Sequence, residues 1–202
     1  MKKNLFVMVM VLLVLFTVMA DEYSLFTGNA YTYNDLSKSL DEAQFLIKYD
    51  DSENTYYLFT ADWINKIWIY LSEKDLQTIR DAIAKYQDWV KIAKEKQVEI
   101  DKDIPDLTIK TKVTWQFGDD WYSASGLTLK FSVLSQNSQR HELVISSNKV
   151  TSRSNQFVDV KLEPLYFEEK EVADFLTSLD AKNLSKLKEE HNKKKQDKDL
   201  FN

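Results

Sequence analysis

Leu107-Thr108-Ile109-Lys110-Thr111-Lys112-Val113-Thr114-Trp115-Gln116-Phe117 decides the fold. Its even positions are all Thr, Lys or Gln, and its odd positions are apolar except for Thr111. A two-residue period of this kind sets a dry face against a core and a wet face toward solvent. It marks an antiparallel strand backed on one side. Gly118-Asp119-Asp120 reads as a turn, and Trp121-Tyr122 begins the return strand. Leu127, Leu129, Phe131 and Val133 carry the alternation onward to a turn at Gln136-Asn137-Ser138. The segment around Leu143 and Ile145 is the partner strand, and Val158, Val160 and Leu162 close the series.

Upstream, Phe45, Ile47 and Tyr49 lead into an Asp50-Asp51-Ser52-Glu53-Asn54 turn, from which Tyr56 to Phe59 return. Ile67, Ile69 and Leu71 form one side of a further strand, with Trp68 and Tyr70 on the other. From Ser72 to about Ile104 the period changes. Leu76, Ile79, Ile83, Tyr86, Val90, Ala93, Gln97, Ile100 and Ile104 recur at three- and four-residue steps. Ser72 is a suitable N-cap, Glu73 and Asp75 suit the positive end of the helix dipole, and Pro105 is the expected stop. Such a helix would measure roughly 45–50 Å, with a docked first half and a polar second half that either crosses the sheet or projects. A shorter helix from about Glu169 carries Val172, Phe175, Leu176 and Leu179 on one face.

The chain therefore reads as α+β: antiparallel sheet, one long helix at about 72–104, more antiparallel strands and a shorter C-terminal helix. Residues 21–189 form one domain, and the lysine-rich 190–202 is expected to fray. Two readings of its organisation stay open: related halves at 21–104 and 105–189, or a generic strand-to-amphipathic-helix junction used twice. Tyr70-Leu71-Ser72-Glu73-Lys74-Asp75-Leu76 aligns with Tyr166-Phe167-Glu168-Glu169-Lys170-Glu171-Val172, and at the same offset Ile79 meets Phe175 and Ile83 meets Leu179.

The first twenty residues speak to location. Lys2 and Lys3 precede an apolar run from Leu5 to Phe16, and Val18-Met19-Ala20 offers a cleavage site before Asp21 and Glu22. Residues 1–20 therefore read as a secretory signal peptide, giving a soluble periplasmic or secreted bacterial protein. A retained membrane anchor is the alternative, but the apolar run is short for a span.

Composition narrows the classes. The net charge of −5 argues against nucleic acid, and no stable membrane insertion is expected after signal removal. With no cysteine, disulfides, thiolate metal sites, a thiol nucleophile and a lipid-bearing cysteine are all excluded. Gly28, Gly118 and Gly126 are the only glycines, so a Gly-rich phosphate loop is excluded too. Of the two histidines, His141 shares the parity of Leu143 and Ile145 and reads as a core or sheet-edge residue, while His191 lies in the polar tail. No serine has the context of a nucleophile elbow. Asp101, Asp103 and Asp106 lack the glycine and closing glutamate of a calcium loop and read as a solvated helix end. No cofactor, metal ligand or catalytic residue is assigned.

What remains is aromatic. Tyr56, Tyr57, Trp63, Trp68 and Tyr70, with Phe59 among them, form a candidate binding surface, and Tyr31 and Tyr33 lie upstream. Strand alternation prevents them all from facing one core, and exposed rings suit sugars, peptides and protein partners. The sequence thus points to an exported, non-enzymatic binding or interaction protein with a protein, peptide or glycan partner. The alternatives are a carboxylate-dependent hydrolase acting on glycans and a homo-oligomer assembled through the long helix.

Overall fold

The computed structural model describes residues 22–34, 38–61 and 66–199. Four strands come first: β1 (Glu22–Asn34), β2 (Ser39–Asp50), β3 (Thr55–Ala61) and β4 (Lys66–Leu71). Helix α1 (Glu73–Lys96) follows, then β5 (Asp101–Phe117), β6 (Asp120–Asn137) and β7 (Arg140–Ser147). A short pair, β8 (Val150–Thr151) and β9 (Asp159–Val160), precedes β10 (Leu165–Phe167), α2 (Glu169–Ser178) and α3 (Ala181–Asp199). The α+β class and the antiparallel strands match the sequence reading.

The closure is new. Each barrel strand pairs antiparallel with the next, and β10 returns to β1 at Tyr31↔Tyr166, so eight strands form a closed barrel. Closure pairs each of the eight barrel strands with a neighbour on both sides, β10 meeting β1 at a single register position. The long β5–β6 hairpin is permitted by Gly118, whose φ of +63° suits the turn. Ile109, Val113 and Trp115 of the opening motif are buried, and Lys110 and Lys112 are exposed. The β8–β9 pair lies outside the barrel, so Val158, Val160 and Leu162 do not form a barrel strand.

Both α1 and α2 are spent on the core. Ser72 and Asp75 close a reciprocal capping box at the start of α1. Leu76, Ile79, Ala82, Ile83, Tyr86, Val90 and Ala93 are all buried in the same cluster as the inward barrel side chains or beside it. Phe175 of α2 packs among Phe26, Phe45 and Phe167, with centroids 5.1, 5.2 and 6.0 Å away. The two helices run antiparallel. Arg80 of α1 donates to the Leu179 carbonyl at the end of α2 (2.7 Å from Nη2), whereas Lys94 pairs with Glu169 at its start. The guanidinium thereby satisfies a carbonyl that the helix end would otherwise leave open.

Three expectations need correction. The long helix ends at Lys96 rather than near Ile104, because Gln97 turns left-handed (φ 54°, ψ 44°) and the Val98 N–H bonds back to the Ala93 carbonyl. Ile100 packs against the core and Ile104 is buried within it, but Ile104 does so from β5, so the helical stripe continued by coincidence into a strand. Pro105 is therefore no helix stop. It sits with Asp106 (φ 63°) where the β5–β6 register shifts, a bulge that tolerates a missing N–H. Asp101, Asp103 and Asp106 accordingly lie on a strand, and no second half of α1 projects. Among the described residues α3 runs on through 190–199. That helix is held by its first half: Leu184 and Leu187 pack on the core, and Lys188 pairs with Asp51 at 2.5 Å beside the Tyr49 ring.

At the aligned junctions Leu71, Leu76, Ile79 and Ile83 are buried, as are Phe167, Val172, Phe175 and Leu179.

Candidate functional site

Strand parity sorts the aromatic residues. On β4, Ile67, Ile69 and Leu71 point inward, which sends Trp68 and Tyr70 outward. The β3–β4 register sets Tyr57 against Tyr70 and Phe59 against Trp68, while Tyr56 lies against inward Leu71. Tyr57, Trp68 and Tyr70 therefore share the outer face of the barrel, and each is half-buried. Tyr56 does not belong with them. It packs on the core, 4.8 Å from the Tyr49 ring, and burial, reinforced by Glu73, pushes its phenol up. Trp63 lies outside the described residues.

The outward rings contact one another. Phe59 and Trp68 are 4.4 Å apart between centroids, Tyr57 meets Tyr70 edge-on at 5.0 Å, and Trp68 lies 6.2 Å from Tyr57. These are favourable aromatic geometries that hold the rings in place. Beneath them runs a half-open groove of about 260 Å³, bordered also by Glu22, Lys48, Asp50 and Thr114. Lys48 Nζ sits 5.4 Å from the Trp68 centroid and donates to Glu22 Oε2 at 3.1 Å. The Tyr70 hydroxyl is 3.3 Å from Thr114 Oγ1. At one end, Asp50 accepts from the Ser52 hydroxyl and from the Ser52 and Glu53 amides, and its carboxyl is held below the usual range, the Ser52 hydroxyl contributing most. The Tyr57 hydroxyl donates to Glu53, and burial with that carboxylate keeps the phenol protonated.

Lys48, Glu22 and Thr114 went unnoticed in the sequence. Lys48 was the findable one, since it holds the outward parity between Ile47 and Tyr49. Glu22 and Thr114 reach the groove only through long-range pairing, on β1 and β5.

Other chemistry gathers around His141, which is buried where the sequence placed it. Its Nδ1 is 2.6 Å from Ser135 Oγ, which also accepts the Ile100 amide at 2.8 Å, and the Tyr86 hydroxyl donates to the His141 carbonyl at 2.8 Å. This network ties α1, the β5 approach and β7 together. The serine is engaged from two sides, by the His141 ring and the Ile100 amide. Glu142, 2% exposed, accepts from Gln136 at 2.6 Å, and burial pushes its carboxyl up. Among the described residues no group of three or more histidine or acidic side chains is placed to hold a metal ion. Nor is any helix among them long and apolar enough to cross a membrane.

Comparison with known proteins adds no constraint: no family model, curated protein or solved structure matches this chain.

Proposed function

We propose that this is an exported, non-enzymatic binding protein that engages its ligand on the outer aromatic face of β3 and β4. The observation that carries the reading is the sidedness of Tyr57, Trp68 and Tyr70. The core is complete on the other side of the sheet, yet three large rings remain partly exposed around a groove. Preorganised rings offer contact area at low entropic cost, which is what a recognition surface requires. The signal-like pattern of residues 1–20 supports reading this activity as periplasmic or extracellular.

The groove lends the hydrolase alternative little support. A glycosidase needs one carboxyl held protonated beside another that is ionised. Asp50 is displaced in the opposite direction, and Glu22 is committed to Lys48. Assembly through the apolar stripe of α1 gains little support, since Leu76 to Ala93 of that stripe are buried.

The test is site-specific photo-crosslinking in the native envelope. A photoreactive residue at Tyr57 should yield adducts that the same residue at exposed Lys130, on β6, does not. Equal labelling at both positions, or none at Tyr57, would remove the reading. The mass of the native protein tests export separately: a start at Asp21 is expected, and an intact Met1 in the membrane fraction would contradict it.

A further inference from the structure

We propose that the outer groove is a receptor for a small alkylammonium ligand and that Lys48 is its built-in occupant. The proposal rests on reading this face as a binding surface and specifies what it takes.

Three observations converge. First, the groove already holds a primary ammonium group on an alkyl stem. Lys48 Nζ lies 5.4 Å from the Trp68 centroid, within the roughly 6 Å over which a ring face attracts a cation, and it donates to Glu22. Second, the charges lining the groove are unbalanced. Glu22 and Asp50 face each other across the β1–β2 ladder, and Lys48 is the one cation beside them among the lining residues described. Asp50 stays ionised because Ser52 and the turn amides stabilise its carboxylate. Third, the rings are fixed in advance: Phe59 steadies Trp68, and Tyr57 and Tyr70 brace each other.

The occupant follows from this chemistry. A neutral sugar would find ring faces, but displacing Lys48 into water would leave Glu22 without its ion-pair partner. An alkylammonium ion replaces the displaced charge in kind and supplies the N–H that Glu22 accepts. A quaternary ammonium lacks that N–H. With Lys48 in its wall the groove leaves about 260 Å³, just under the usual range for small-molecule pockets, so a short chain fits against the lysine stem and in the place its ammonium vacates. Lys48 then acts as an internal competitor that swings out when the ligand enters, weakening the apparent affinity by the fraction of chains in which it already stands aside.

The probe is 1,5-diaminopentane, titrated into the full chain by calorimetry, with tetramethylammonium and glucose as comparators. Saturable binding is expected for the amine, weaker binding for tetramethylammonium and none for glucose. Lys48→Met keeps the apolar stem and removes the competing charge, so it should bind the amine about tenfold more tightly. Trp68→Leu keeps apolar packing but loses the ring face, and should lose binding while its circular dichroism stays native. No saturable response to the amine, no gain in Lys48→Met, or unchanged affinity in Trp68→Leu would each overturn the proposal. Glucose binding that depends on Trp68 would overturn it while leaving the face a binding surface. Silence to every probe, with no crosslink at Tyr57, would remove both.

Discussion

Ile83→Ala should be among the most damaging single changes in this protein. Ile83 is completely buried on α1, in the cluster shared by helix and barrel. The substitution removes three carbon groups from that core. At about 0.8 kcal/mol for each, the transfer cost is about 2.4 kcal/mol. The surrounding barrel is hydrogen-bonded all the way round and can collapse only partly into the space, so a cavity cost adds to this, giving about 3–4 kcal/mol in total. For a chain of this size the melting temperature should fall by roughly 6–16 °C. Ile92→Ala is the matched control. It lies on the same helix with 48% of its surface exposed, and its effect should stay within about 0.5 kcal/mol. Urea and thermal unfolding followed by circular dichroism measure both variants. A loss below about 1 kcal/mol at Ile83, or equal losses at the two sites, would refute the docking of α1 into the barrel.

Tyr86→Phe removes the hydroxyl that reaches the buried His141 carbonyl and should cost about 1–2 kcal/mol, read by urea unfolding. Burial raises the Glu142 carboxyl, so the folded chain holds that proton to higher pH than the unfolded chain does; stability therefore falls as pH rises from near the ordinary 4.5 toward the raised value. Glu142→Gln should flatten this fall in a plot of urea midpoint against pH, and an unchanged slope would contradict it. Lys188→Ala removes the contacts to Asp51 and the Tyr49 ring, and should speed amide exchange in α3 while leaving β5 and β6 protected.

How much of this was legible follows from how local each cause is. The strands from Phe45 to Tyr49 and from Leu107 to Trp115 were plain, because a single buried face writes a period of two into adjacent residues. The outward turn of Trp68 and Tyr70 followed from the same rule. β1 escaped notice because its pattern is broken: Leu25 and Phe26 are both buried across a register shift in the β1–β2 pairing. Barrel closure rests on β10 meeting β1, more than a hundred residues apart, and no local pattern records such a pairing. Lys48 over Trp68 belongs to the same category, since the two lie on β2 and β4 with β3 between them and meet only once both registers are known.

The end of α1 was hidden for a different reason, and it gives the sharpest test of the structure against the sequence pattern. The three-and-four spacing runs without a break to Ile104, and composition alone favours a helix through Gln97. In the structure, Gln97 is left-handed, a conformation that costs a side chain with a Cβ roughly 1–2 kcal/mol. Glycine escapes that cost but gives up roughly 0.5–1 kcal/mol through its freer unfolded state. Gln97→Gly should therefore stabilise the protein, by about 0.5–1 kcal/mol on the difference of these terms. Were the helix to continue to Ile104, the same change would put glycine in a helix interior and destabilise it by about 0.5 kcal/mol or more. The two readings differ in sign rather than in size, so a urea midpoint decides between them. A lower midpoint for Gln97→Gly would mean that Ile100 and Ile104 reach the core from a helix, and that β5 does not begin at Asp101.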